Sequence, residues 1–237
     1  MPLLQYLEPG DPFPPTTAAL EYPDGLLAVT QELEVDRLMD AYRKGIFPWF
    51  EDPQPVLWWS PDPRSVLPLD ALYLSRSLRR TLRRNHFRLS VDTCFMKVMR
   101  ACAGKRRGQR GTWINRRMLN AYSALHQRRI AHSIEVSDDN GELVGGLYGV
   151  GVGGTFFGES MFSYRSDASK VALVALVRLL RRAGANLIDC QVESEHMNSL
   201  GAHNLPRPEF EQWLARNVDI DIPFSAWHLP DRCGELL

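Results

Sequence analysis

Three polar side chains stand in stretches that otherwise read as buried β-structure. Glu159 interrupts GESMFS at 158–163, and Asp189 and Gln191 alternate with Ile188, Cys190 and Val192 in LIDCQV at 187–192. Two residues of a strand span roughly 6.5–7 Å and point to the same side, so Asp189 and Gln191 share one wall. Burying an amide without a partner costs roughly 2–7 kcal/mol, and an isolated carboxylate costs more. The three are therefore expected to satisfy one another. A carboxylate that fixes a neighbouring amide can leave the amide oxygen as an acceptor and its hydrogens as donors toward a reacting group. A polar network that merely positions loops is the alternative on these residues alone. No Ser-His-Asp or Cys-His set with clear spacing occurs, and the six histidines and four cysteines lack the pairing that metal sites use. Neither a GxxxxGK[ST] nor a GxGxxG run is present. The expectation is a site without metal or cofactor, with Cys190 as a packing residue.

The elements that carry these residues follow from periodicity. Ile130–Val136, Leu143–Val150 and Thr155–Ser163 form a meander with turns at Asp138-Asp139-Asn140-Gly141 and at 151–154. Ser169–Arg182 is a helix whose first half is apolar on every side, so it must be buried against the sheet. It crosses over to a buried strand at 188–192, expected parallel to its predecessor. That puts Glu159, on the last strand of the meander, within reach of Asp189 and Gln191. Upstream, Phe87–Val91 reads as a strand, and Cys94–Ala101 and 114–129 read as helices. The fold class is α+β, a mixed β-sheet flanked by helices.

Residues 1–62 are proline-rich and short on strand signals, with one amphipathic helix (Leu33, Leu38, Met39, Tyr42) stopped by Gly45 and Pro48. The cluster Ile46-Phe47-Pro48-Trp49-Phe50 and Val56-Leu57-Trp58-Trp59 cannot all face one side of a regular element. Part of it is expected to join a small N-terminal unit to the rest, and one or two rings to face a ligand. No apolar run approaches the roughly 20 residues that span a bilayer, and no basic start precedes a long apolar stretch. The expectation is a soluble, unexported protein.

Net charge is zero, but between Leu74 and Ile130 two lysines and fourteen arginines face a single acid, Asp92. Such polarity suits a polyanionic partner. Within this stretch Ser75 can cap a short helix that buries Leu78 and Leu82 and exposes Arg76, Arg80, Arg83 and Arg84. Like charges at this spacing repel, which favours phosphate binding over a merely solvated face. The basic, glycine-rich segment at 104–111 could also order on nucleic acid.

GIFPWF (45–50), LWWSPDPR (57–64), SRSLRR (75–80), GTWI (111–114), AHSIEV (131–136), LVGGLYGV (143–150), GESMFS (158–163), ASK (168–170), LIDCQV (187–192) and SLGA (199–202) occur in an order and number that resemble the leucyl/phenylalanyl-tRNA–protein transferase family. The resemblance runs from about residue 24 to 215. It implies a small N-terminal α+β domain (1–62) on a domain similar to GNAT acetyltransferases (63–237). It also implies transfer of Leu or Phe, with Met a further donor residue, from aminoacyl-tRNA to an N-terminal Arg or Lys of an acceptor protein, which creates a signal for proteolysis. The implied enzyme is cytoplasmic and needs no cofactor, since aminoacyl-tRNA is a co-substrate; a monomer is the default expectation.

Residue by residue, the resemblance puts the terminal adenosine of the tRNA on Trp49 and Trp113, and the acceptor stem on Arg76, Arg80, Arg83 and Arg84. Leu147, Phe156, Leu176, Leu180 and Ile188 line the aminoacyl pocket. Asp189 orients Gln191, which draws a proton from the attacking amine, and Glu159 supplies negative charge for the cationic acceptor. The family pattern has Met at Leu147, Phe at Leu176 and Leu180, and Asn at Ser194, so this chain departs from it there. Two other classes suit parts of the sequence. An acyl-CoA-dependent N-acetyltransferase lacks its pyrophosphate loop at Tyr164-Arg165-Ser166-Asp167, and an RNA-binding module leaves the three polar residues unused.

Overall fold

The computed structural model describes residues 4–104 and 112–237. Most of the basic segment at 104–111 lies outside them. The N-terminal part contains more strand than its sequence suggested: β1 (Gln5–Tyr6), β2 (Leu26–Thr30), α1 (Val35–Arg43), β3 (Phe47–Pro48) and β4 (Val56–Trp59). They make a four-stranded sheet in the order β1-β2-β4-β3. The strands are two to five residues long, too short for an alternation to register. The one clear signal is the fully buried run Leu26-Leu27-Ala28-Val29.

The remaining elements are β5 (Arg64–Pro68), α2 (Arg76–Arg84), β6 (Arg88–Val91), α3 (Phe95–Cys102), α4 (Arg116–Gln127), β7 (Ala131–Ser137), β8 (Leu143–Val152), β9 (Thr155–Ser163), α5 (Ala168–Arg182), β10 (Leu187–Gln191), α6 (Glu195–Asn198), β11 (His203–Leu205) and α7 (Arg207–Asn217). The expected helices and strands agree with these to within about two residues at most ends, while β5, α6, β11 and α7 were not expected from the sequence. The strands form one seven-stranded sheet, β11-β5-β10-β9-β8-β7-β6. β10 runs parallel to β9, as a helical crossover requires, and antiparallel to β5.

Successive residues of the central strands feed two cores. Leu147, Phe156 and Ile188 pack with α5 and with Leu78 and Leu82 of α2. Tyr148, Phe157 and Leu187 pack with α1, α3, α4 and the small sheet through Tyr42, Trp58, Val98 and Tyr122. The apolar first half of α5 is accounted for: Val171 through Val177 are all buried.

The sheet is interrupted where the polar residues sit. Tyr148 pairs with Ser160 but Gly149 pairs with Gly158, so Glu159 is the extra residue of a bulge. Asp189 pairs with Val66 but Gln191 pairs with Ser65, which makes Cys190 extra in the same way. Pairing between β9 and β10 ends at Phe157 and Asp189, so beyond that level the two strands are free to part. Bulges kink a strand and re-aim its side chains, and these two lie side by side. Gly149 is required there: a Cβ on it would stand 2.1 Å from the Phe157 carbonyl oxygen and 2.5 Å from the Phe156 ring.

Candidate active site

Where β9 and β10 separate, a cavity of about 450 Å³ opens, lined by residues 158–161 of β9, by Cys190 and Gln191 at the end of β10 and by Val192 beyond it. Its three regions differ in chemistry. The floor is apolar, formed by Leu147, Met161, Leu173, Leu176, Ile188 and Met197; one wall carries Tyr148, Glu159, Ser160 and Gln191; Phe47, Trp49 and Trp113 stand at another side. Of the expected aminoacyl pocket, Leu147, Leu176 and Ile188 line the cavity. Phe156 and Leu180 do not; they are fully buried behind it in the same core. Leu173, Met161 and Met197 take their places.

The three tryptophans of the N-terminal cluster divide their roles. Trp58 is buried, and its indole N–H donates to Thr30 Oγ1 at 3.0 Å. Trp59 donates to the Trp49 carbonyl at 2.7 Å and lies beside the Trp49 ring at 5.8 Å. That leaves Trp49, which is 46% exposed, as a braced ring at the cavity mouth.

Asp189 is completely buried and does not reach the cavity. It pairs bidentately with Arg64 of β5, also completely buried, through Nε to Oδ1 at 2.8 Å and Nη2 to Oδ2 at 2.7 Å. Arg64 Nη1 donates to the Gly45 carbonyl at 2.8 Å, and the guanidinium lies 4.9 Å from the Phe47 ring and 4.7 Å from the Phe210 ring. A planar fork matched to a carboxylate, with its remaining nitrogen bonded, is a well-satisfied buried pair. Asp189 Oδ1 also accepts the Gln191 backbone N–H at 2.9 Å. Gln191 has φ +59°, a left-handed conformation uncommon for a residue with a Cβ. Asp189 thus fixes the Gln191 backbone, whereas the orienting contact expected from the resemblance was to its side chain.

The Gln191 side chain is held by Glu159: Nε2 donates to Oε1 at 3.3 Å. Commitment of the amine leaves the amide oxygen as an acceptor. Glu159 Oε1 also accepts from the Tyr42 hydroxyl at 2.6 Å, and Oε2 from the Tyr122 hydroxyl at 2.8 Å. The two tyrosine hydroxyls are in turn hydrogen-bonded to each other. No cation pairs with Glu159 among the described residues. Burial therefore dominates and raises its pKa to about 7, against the opposing pull of the tyrosine hydrogen bonds and with a further push from the Asp189 charge. Burial, and then the charge of Glu159, push both tyrosines well above the ordinary phenol range, so they act as donors.

Cys190 also faces the cavity, but burial pushes its thiol strongly upward. A protonated thiol is not a nucleophile, in keeping with a packing role. His196, at the rim, is shifted down by burial and by Lys170, which favours the neutral ring. Ser194 lines the cavity and caps α6 by accepting the Met197 N–H at 3.2 Å. The described residues contain no cluster of His, Cys, Asp or Glu suited to a metal ion.

The basic helix has the expected form. Ser75 Oγ accepts the Leu78 N–H at 3.2 Å, and Leu78 and Leu82 are buried. Arg76, Arg80, Arg83 and Arg84 are exposed, and none forms an ion pair with a carboxylate among the described residues. Thr81 donates to Asp167 at 2.9 Å, which docks α2 at the start of α5, the helix whose Leu173 and Leu176 line the cavity.

Three residues of the site escaped sequence reasoning. Arg64 was visible only as the last residue of LWWSPDPR (57–64), and Tyr42 and Tyr122 as members of helical core stripes. The signal was reciprocal: buried tyrosine hydroxyls need acceptors, and Glu159 and Asp189 need donors.

The family model described as leucyl/phenylalanyl-tRNA protein transferase matches residues 66–215, and that of the family's N-terminal domain matches 31–62. This chain belongs to the leucyl/phenylalanyl-tRNA–protein transferase family. It is accordingly an aminoacyltransferase. Relatives carrying that name are 55% identical in Pseudomonas putida over 87% of this chain and 91% of theirs, and 53% identical in Nitrosospira multiformis over 95% and 97%. One in Xanthomonas campestris is 51% identical over 99% and 94%. Among solved structures, L-PGS from Bacillus licheniformis matches 71% of this chain and 54% of its own at 12% identity and a TM-score of 0.40. No helix in the described residues is long and apolar enough to cross a membrane.

Proposed function

We propose that this transferase takes Leu or Phe, with Met as a further donor residue, from aminoacyl-tRNA and joins it to the α-amine of an N-terminal Arg or Lys, marking the acceptor protein for degradation. The carrying observation is one cavity that combines an apolar floor, a Glu159–Gln191 wall and a braced tryptophan, on a sheet whose α2 presents four unpaired arginines. The donor side chain occupies the floor, where Leu147, Leu176 and Ile188 select by size and branching. Trp49 and Trp113 stack the terminal adenosine, an arrangement worth roughly 1–3 kcal/mol per base. Arg76, Arg80, Arg83 and Arg84 clamp the acceptor-stem phosphates without reading sequence.

The ester is already activated, and an α-amine with a pKa of about 8 is already nucleophilic. Positioning therefore supplies much of the acceleration, and no cofactor is required. The Gln191 oxygen accepts a hydrogen bond from the attacking amine; the new C–N bond forms as the ester C–O bond breaks and the ribose hydroxyl leaves. Glu159 supplies the negative charge that favours a cationic acceptor. The enzyme acts as a cytoplasmic monomer of two domains, 1–62 and 63–237.

The test is transfer of labelled Phe or Leu from charged tRNA to peptides beginning with Arg, Lys or Ala, with the corresponding acyl-CoA as control donor. Transfer from tRNA to the Arg and Lys peptides alone is expected. Transfer from acyl-CoA would point to an N-acyltransferase, and tRNA binding without transfer to a binding module.

A further inference from the structure

We propose that Glu159, Tyr42 and Tyr122 form a closed ring that takes up the proton released by the attacking amine and returns it to the leaving ribose oxygen. This rests on the reading that an amine attacks an aminoacyl ester in this cavity. The number of available hydrogens decides how the three groups can bond. The three groups make three mutual contacts, Tyr42 to Glu159 Oε1, Tyr122 to Oε2, and Tyr42 to Tyr122. Each tyrosine has one hydroxyl hydrogen and an ionised carboxylate has none. If both tyrosines donate to the carboxylate, their contact with each other has no hydrogen in it. A third proton completes the ring: Glu159 Oε1–H donates to Tyr42, Tyr42 to Tyr122, and Tyr122 to Oε2. The ionised site is one proton short of a full set of bonds.

The placement of the ring gives that proton its route. Tyr42 and Tyr122 are completely buried, while Glu159 is partly exposed and lines the cavity. Protons therefore enter and leave through the carboxyl group, at the side where Gln191 positions the amine. The groups facing Glu159 are Tyr42 from α1, Tyr122 from α4, Tyr148 from β8, Gln191 and Asp189 from β10, and Arg64 from β5. The cation among them, Arg64, is bound bidentately to Asp189, so no net positive charge holds Glu159 ionised. Burial keeps its pKa at about 7, near that of the amine it serves. Gln191, an amide, can accept a hydrogen bond but cannot hold a proton at neutral pH. In the step, the amine nitrogen bonds to the ester carbonyl carbon and its N–H proton passes to Glu159 Oε1. As the ester C–O bond breaks, Oε1–H protonates the ribose oxygen and the carboxylate is restored.

The test is the pH dependence of single-turnover transfer from charged tRNA to an Arg peptide, together with an infrared titration of the protein alone. Below pH about 7 the logarithm of the wild-type rate is expected to rise with a slope of two, because both the amine and Glu159 must be deprotonated. Glu159→Gln should give a slope of one and a rate lower by about 10²–10⁴-fold. Tyr122→Phe should move the inflection, which a merely structural residue would not do. In the infrared, a carboxylic-acid C=O stretch should disappear as pH rises through about 7 and be missing in Glu159→Gln. A slope of one in wild type with transfer intact, or no carboxyl band titrating in that range, overturns the proposal. Absence of any transfer by the wild type would overturn the functional reading instead, and the infrared titration would still decide the ring.

Discussion

Asp189 and Glu159 lie on neighbouring strands and face the same core, Asp189 completely buried and Glu159 partly exposed to the cavity, and their surroundings assign them opposite work. Asp189 meets a guanidinium fork, a backbone N–H and no cavity. Its charge is cancelled, and its removal would leave Arg64 buried and alone. Glu159 meets two phenols and an amide, all neutral donors, and a cavity. Its charge is hydrogen-bonded but not cancelled, so burial makes it hold its proton more tightly than an ordinary carboxyl group, up to about neutrality. Burial with a counter-ion makes a strut, and burial with neutral donors makes an acid–base group.

Breaking the strut should have the largest effect. Arg64→Ala leaves the Asp189 carboxylate uncompensated and is expected to cost about 3–5 kcal/mol of unfolding free energy, read as a lower denaturant midpoint. Next is the pH dependence of stability. Glu159 binds its proton more tightly in the folded protein, at about 7, than its ordinary 4.5. Between those values the folded state carries more protons than the unfolded one, so stability should decline as pH rises through this window, by up to about 3 kcal/mol. Glu159→Gln should flatten that decline, which chemical denaturation at pH 5 and pH 8 would show.

Smaller effects separate the cavity floor and the basic helix from both carboxylates. Leu176→Phe narrows the floor and should favour Leu over Phe as donor, by roughly 1–3 kcal/mol in relative kcat/KM, without altering the pH profile. Arg80→Ala and Arg83→Ala should each lower the salt slope of tRNA binding by about one and leave donor preference unchanged. An unaltered slope would remove those arginines from the tRNA interface.

The distinction between strut and acid–base group was not legible in the sequence, although much of the scaffold was. The turn at Asp138–Gly141, the all-apolar start of α5 and the Leu78–Leu82 pair under the arginines are local patterns, and local patterns set these elements. The alternation in LIDCQV put Asp189 and Gln191 on one wall, but the bulge at Cys190 breaks it: Gln191 lines the cavity with Cys190 and Ile188, and Asp189 is buried away from it. The partner of each acid comes from afar, Arg64 lying 125 residues from Asp189 and Tyr42 lying 117 from Glu159. Nothing in the spacing of one strand reports such contacts. The two bulges that re-aim β9 and β10 were likewise invisible, because an extra residue shows only against its partner strand. The first sheet was missed for a simpler reason, the brevity of its strands.

The most direct test is to measure unfolding free energy and single-turnover transfer from charged tRNA in the same preparations of Asp189→Asn and Glu159→Gln. Asp189→Asn should lose several kcal/mol of stability, and Glu159→Gln should keep its stability at pH 8 while losing transfer by about 10²-fold or more. A Glu159→Gln variant that transfers normally, or an Asp189→Asn variant as stable as the wild type, would contradict these roles.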